Sequence, residues 1–264
     1  MNDIYNYSGN LIIIGGGDIP EEIFDLFSEL IGGKDSPIVV IPTATEDELW
    51  IQANGHLQKF LDRGFNNLNT VHTRSKDEAN SNQRFIEMIR NCKGLFFGGG
   101  DQQFLADIYG NTILMDEFKS LLQRGGVIMG TSAGATIMGS LLIGGDARDD
   151  ITIKYDFQSA FSFMKNTAID QHVLARNRQF DLIPVVEHYN VLGIGIDEST
   201  AIIVDKDKFK VIGLSYILLY DPDDWKRQQL KYGKVIKPFT MMKNDGSSYN
   251  FNTKTIDDIV IDNE

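Results

Sequence analysis

Short apolar runs that stop in glycine alternate with longer amphipathic stretches through the first half of the chain. Leu11-Ile12-Ile13-Ile14 ends in Gly15-Gly16-Gly17, and Ile38-Val39-Val40-Ile41 sits between Pro37 and Pro42. Gly94-Leu95-Phe96-Phe97 ends in Gly98-Gly99-Gly100, and Val127-Ile128-Met129 runs into Gly130. Continuous β-branched and aromatic runs of this length predict strands buried on both faces. Between the first two, Ile23, Phe24, Phe27, Leu30 and Ile31 recur at helical spacing behind Pro20 and before Gly32-Gly33. Similar spacing predicts helices over 46–61, 82–92, 104–109 and 113–123, and a further strand is predicted over 69–72. After the helix that opens at 135, the pattern is less regular. Residues 144–150 read as a surface loop, 157–164 stay unassigned, and strands are predicted over 167–169, 191–196 and 200–204. Residues 211–213 and 215–220 suggest an antiparallel hairpin, and the polar tail beyond Asp245 is expected to be at best partly ordered. Strands alternating with helices through short connections predict an α/β fold, a mostly parallel sheet with helices on both faces. No repeat, low-complexity segment or linker interrupts the 264 residues, so one domain spanning 1–264 is expected.

Composition narrows the function classes. An apolar fraction of 42% and a charged fraction of 23% are those of a globular chain. Lys and Arg number 25 against 37 Asp and Glu, a formal charge of -12, which disfavours nucleic acid or an anionic membrane as a main partner. The one cysteine, Cys92, rules out an intramolecular disulfide and a cysteine metal cluster. The N-terminal MNDIYNYSGN lacks a basic n-region, and no apolar run reaches the roughly 20 residues of a membrane span. A cytoplasmic protein is expected.

Open α/β sheets take their ligands at the C-terminal strand ends, where Thr43, Gly98 to Gln102 and Ser132 all fall. Gly130-Thr131-Ser132-Ala133-Gly134, between a strand and a helix, has the G-x-S-x-G form of a nucleophile elbow. Such a serine needs a base within hydrogen-bond reach. His172 stands at the end of a strand in Asp170-Gln171-His172, as a triad base would, whereas His56 and His72 read as ordinary surface or half-buried residues and His188 as a weaker candidate. The acid that would orient the imidazole stays open among Asp146, Asp149, Asp150, Asp170, Asp197 and Glu198. Glycines 98–100 let backbone amides approach a substrate, so Gly99 or Gly100, with Ala133, would form an oxyanion hole; the bland alternative is a tight turn. Arg176 and Arg178 would either grip a substrate carboxylate or form a solvated basic face.

These segments, together with Ile41-Pro42-Thr43-Ala44 and Gly195-Ile196-Asp197-Glu198, occur in one order. In that order the chain resembles cyanophycinase and the cyanophycinase-like serine peptidases, relatives of aspartyl dipeptidase (peptidase E), over about residues 11–205. The C-terminal hairpin and tail, 206–264, lie outside the resemblance. It implies a class I glutamine-amidotransferase-like, flavodoxin-like three-layer fold. It also implies a triad of Ser132, His172 and Glu198 working through an acyl-enzyme, with no metal or organic cofactor. Gln102, Asp170, Gln171, Arg176 and Arg178 match residues that line the family's substrate pocket. The implied activity is hydrolysis of aspartyl or β-aspartyl peptides, β-Asp-Arg among them, by a homodimer acting on a small peptide. One position departs: where the family carries a further arginine this chain has Asp181. A reversed charge there disfavours a substrate carboxylate and leaves the preferred peptide open. An α-aspartyl dipeptidase and a non-enzymatic binder of small ligands on the same scaffold are the alternatives. Glutamine amide hydrolysis would need a cysteine at the elbow, and Cys92 is far from it in sequence.

Overall fold

The computed structural model describes residues 4–53, 55–144 and 159–257. The candidate acids Asp146, Asp149 and Asp150, the loop reading of 145–150 and the start of the unassigned 157–164 segment lie outside these residues. In chain order the first half comprises β1 (Asn10–Ile14), α1 (Glu21–Ile31), β2 (Ile38–Ile41), α2 (Glu48–Gln52), α3 (Gly55–Leu61), β3 (Leu68–Thr70), α4 (Lys76–Ser81) and α5 (Gln83–Asn91). Next come β4 (Gly94–Phe97), α6 (Gln102–Tyr109), α7 (Ile113–Gln123), β5 (Val127–Thr131) and the single-turn α8 (Ala133–Thr136). The remainder is β6 (Thr167–Gln171), α9 (Leu182–Tyr189), β7 (Leu192–Ile196), β8 (Thr200–Asp205), β9 (Lys208–Gly213), β10 (Tyr216–Tyr220), α10 (Pro222–Tyr232), β11 (Thr240–Lys243), β12 (Ser248–Asn250) and β13 (Thr255–Asp257).

The strands form two sheets rather than one. The larger has the order β13-β12-β9-β8-β1-β5-β4-β2-β3, and its half from β1 to β3 is wholly parallel, as the glycine-terminated runs predict. Period-two alternation splits each run between two cores. Leu11, Ile13, Val39, Ile41, Leu95, Phe97 and Ile128 face the helices α5 to α7, while Ile12, Ile14, Ile38, Val40, Phe96, Val127 and Met129 face α1 and α3. The smaller sheet, β11-β10-β7-β6, joins the first core through Ile169, Ile194, Ile196 and Ile217 and packs α9 on its other face through Leu182, Val185 and Val186. Among the described residues no helix is long and apolar enough to cross a membrane.

Two sequence-based expectations change. The helix over 46–61 starts two residues late, capped by Asp47, which accepts from the Leu49 and Trp50 amides, and it breaks after Gln52. It restarts at Gly55, where a side chain would overlap the Trp50 ring. The hairpin over 211–220 does not form: β9 pairs with β8 and β12, whereas β10 pairs with β7 and β11 in the other sheet. Gly213, at φ +109, turns the chain out of one sheet, and the Leu214 amide then donates to Ser199 O. Of the tail beyond Asp245, the described residues to 257 form β12 and β13, where Tyr249 and Phe251 are buried against Phe209.

Candidate active site

Ser132 links β5 to α8 with φ 55° and ψ -113°, a conformation that L residues seldom hold and that is over-determined here by packing. Its amide donates to Ile14 O, and a side chain at Gly134 would overlap the Phe97 carbonyl, so the turn can be made only this tightly with glycine after the serine. The hydroxyl lies 3.0 Å from His172 Nε2. His172 Nδ1 lies 2.6 Å from Glu198 Oε1. A carboxylate only accepts, so the Nδ1 proton goes to Glu198 and Nε2 is left as acceptor for the Ser132 O–H. Gln171 Oε1 is 3.5 Å from the same hydroxyl, too far to compete.

The three residues come from both sheets. Ser132 follows β5, His172 follows β6 and Glu198 follows β7. The glycine loop after β1 binds them together: the His172 amide donates to Gly15 O and the Ser199 amide to Gly16 O. Gly16 has φ +108°, and a Cβ there would overlap the His172 ring. The loop is therefore the floor on which the imidazole lies, a role that the strand pattern alone does not reveal. Asp197, also considered as the acid, is turned away; its carboxylate accepts from the Leu174 and Ala175 amides and from Ser215. Burial lowers the His172 pKa most; Glu198 opposes this, and Arg176 and Arg178 reinforce it.

The loop after β4 runs beside the serine. A Cβ at Gly99 would lie 3.2 Å from Ser132 Cβ, with Gly100 and the exposed Asp101, which caps α6, next in the chain. The Ala133 amide heads α8 directly after Ser132. Gln102 is buried, and its Nε2 donates to Ile143 O. Gln171 is beside the serine, but Asp170 points the other way, at 1% exposure, accepting from the Gln171 amide and lying 3.5 Å from Arg178. Burial raises the Asp170 pKa to about 7 despite the attraction of Arg178. Arg178 is 5% exposed and donates to Gln171 O, so this pair braces the backbone that carries Gln171 and His172 from behind. Arg176 is exposed one turn beyond His172, its amide donating to His172 O, and Asp181 is exposed at the start of α9. The arrangement can move a proton from Ser132 Oγ to Nε2 while a carboxylate stabilises the imidazolium, beside a row of glycine amides.

The chain is similar to known peptidases. A model of peptidase family S51 matches residues 11–212. A cyanophycinase from Geminocystis herdmanii is 29% identical over 220 residues, covering 80% of this chain and 80% of its own. One from Synechococcus elongatus is 28% identical over 266 residues, covering 95% of this chain and 81% of its own. The crystal structure of a peptidase from an acI-B1 Actinobacterium superposes with a TM-score of 0.72 at 22% identity, covering 92% of this chain and 97% of the other, a likeness of fold.

Proposed function

The chain belongs to peptidase family S51 and is a serine-type peptidase, and we propose that it hydrolyses aspartyl or β-aspartyl peptides through Ser132, His172 and Glu198. One observation carries this reading: the unbroken hydrogen-bond line from Ser132 Oγ through His172 to Glu198, at 3.0 and 2.6 Å. Ser132 Oγ attacks the scissile carbonyl as His172 Nε2 takes its proton. The tetrahedral oxyanion is received by the Ala133 amide and by the Gly99-Gly100 loop. Nε2 then delivers the proton to the departing amine, leaving an acyl-enzyme on Ser132. Water, deprotonated by the same nitrogen, releases the acid. Glu198 holds the ring in the tautomer that leaves Nε2 as acceptor and stabilises the imidazolium.

The cyanophycinase relatives support an aspartyl residue on the acyl side. Gln102, Asp170, Gln171, Arg176 and Arg178 are proposed to shape the pocket, Gln171 and Arg176 from its surface and Asp170 with Arg178 from beneath. Asp181, an acid where the family carries arginine, favours a neutral or cationic group over a carboxylate at that corner. The test is a dipeptide panel contrasting α- and β-aspartyl linkages, with Arg, Lys and neutral leaving groups, run beside labelling by a fluorophosphonate. Cleavage of β-aspartyl members with labelling at Ser132 is the expected result. Activity on α-aspartyl members alone would move the protein to the dipeptidase branch. A folded protein that neither labels nor cleaves would be a binder on this scaffold.

The base must be neutral to accept the serine proton, so kcat/KM falls as pH drops through the His172 pKa in the free enzyme. Burial holds that value below the ordinary 6.5. The acid limb of a kcat/KM profile is therefore expected to have its midpoint below pH 6.5. A midpoint above that value would show that the solvent-screened pull of Glu198 outweighs burial.

A further inference from the structure

In the sheet order β5-β4-β2, the loops that follow these strands lie side by side. Ser132 follows β5, Gly98 to Gly100 follow β4, and Thr43 to Thr45 follow β2. Thr45 Oγ1 donates to the Gly99 carbonyl at 3.1 Å and also lies 3.0 Å from His56 Nε2. A hydroxyl has one proton, and Gly99 takes it. His56 must then be the donor to Thr45, which places the imidazole proton on Nε2. The remaining nitrogen, Nδ1, is buried without a partner among the described residues, and His56 is 7% exposed. A second proton would have no acceptor, in keeping with burial pushing the His56 pKa down to about 3. Trp50 meets the ring edge-on, with centroids 4.1 Å apart, and Gly98 leaves it room, since a Cβ there would overlap the imidazole.

The peptide between Gly99 and Gly100 is trans, so its carbonyl and its N–H point in opposite directions. The carbonyl is turned towards Thr45, on the β2 side. The Gly100 N–H is therefore turned towards the β5 side, where Ser132 stands. Among the described residues no protein acceptor takes this N–H. We infer that the line from His56 Nε2–H through the Thr45 hydroxyl to the Gly99 carbonyl orients and polarises the Gly100 N–H as an oxyanion donor, which makes Thr45 and His56 positioning residues of the reaction. A hydrogen bond to a peptide oxygen strengthens the N–H of the same unit as a donor, and a fixed donor needs no reorganisation when charge develops. Because the imidazole stays neutral, the relay operates unchanged across the working pH range. The inference rests on the serine-peptidase reading of Ser132 and selects Gly100 over Gly99 as the amide that contacts the oxyanion.

The test compares Thr45→Val, which keeps shape and loses the hydroxyl, with Thr45→Ser, which keeps the hydroxyl. The readouts are kcat and KM on a panel dipeptide that the wild type cleaves, and the second-order rate of fluorophosphonate labelling, which also passes through an oxyanion. Thr45→Val is expected to lower kcat and the labelling rate about tenfold, less than loss of a whole donor, with KM within about twofold. Thr45→Ser is expected to recover most of this. His56→Phe, which keeps a ring beneath Gly98 without the Nε2–H, is expected to lower both rates in the same direction and stands in should Thr45→Val not fold. Wild-type kcat and labelling in folded Thr45→Val, equal losses in Thr45→Val and Thr45→Ser, or a change confined to KM would overturn the inference. Failure of the wild type itself to label or cleave would instead strike the proposed function, so the two failures are told apart.

Discussion

Replacing Ser132 by alanine is expected to lower turnover of every peptide the protein cleaves by several orders of magnitude while KM moves by no more than about threefold. Removing Oγ removes the bond-forming atom, so the residual rate is that of water attacking a carbonyl bound in the same pocket. The pocket itself is left in place. Ala133, Gly99 and Gly100 act through backbone, and the strained turn at φ 55° is enforced by the Ser132 amide bond to Ile14 O and by Gly134 rather than by the hydroxyl. Steady-state kinetics beside product binding to the variant give both numbers. Retention of full activity on any cleaved substrate would remove Ser132 from the mechanism.

Replacing Gly16 by alanine is expected to lower kcat by about 100-fold or more, although Gly16 touches no substrate. The new methyl would occupy the space of the His172 ring, and φ +108° is itself costly for an L residue. The ring can escape only by rotating, which lengthens both the 3.0 Å contact to Ser132 and the 2.6 Å contact to Glu198. A misplacement of about 1 Å in a proton-transfer group is worth this much in rate. The decisive control is an intact fold: a melting temperature within several degrees of wild type with lost fluorophosphonate labelling assigns the effect to His172. A fully active Gly16→Ala would mean that the glycine loop is not the floor of the base.

Much of the fold was legible because its information is local. Leu11 to Ile14, Ile38 to Ile41, Leu95 to Phe97 and Val127 to Met129 are apolar on both faces, as strands covered by helices on both sides require. The sequence pattern does not disclose α4, α9 or α10, and for the last two the reason is identifiable. In α9 the apolar spacing of Leu182, Val185 and Val186 is interrupted by Pro184, tolerable because it sits in the first turn. In α10 the signal was the start, Asp221 as cap and Pro222 behind it, rather than an apolar face. His56 reads as unremarkable in sequence because neither Thr45 nor the Gly99 carbonyl is near it in the helical pattern; the fold makes them neighbours.

The form of the elbow follows from sequence alone: an apolar strand, a glycine two residues either side of Ser132, and a helix start. Steric exclusion acts over a few residues, so local order suffices to specify it. Which groups face that serine is a different matter. His172 and Glu198 arrive from a second sheet whose existence the strand runs do not disclose. Asp197 and Glu198 are neighbours in the chain, and they diverge because one carboxylate satisfies the Leu174 and Ala175 amides while the other meets the imidazole. That choice is made by how the two sheets dock across the Gly15–Gly17 loop, an arrangement set by contacts between residues more than 150 positions apart in the chain, as in the bond from the Ser199 amide to Gly16 O.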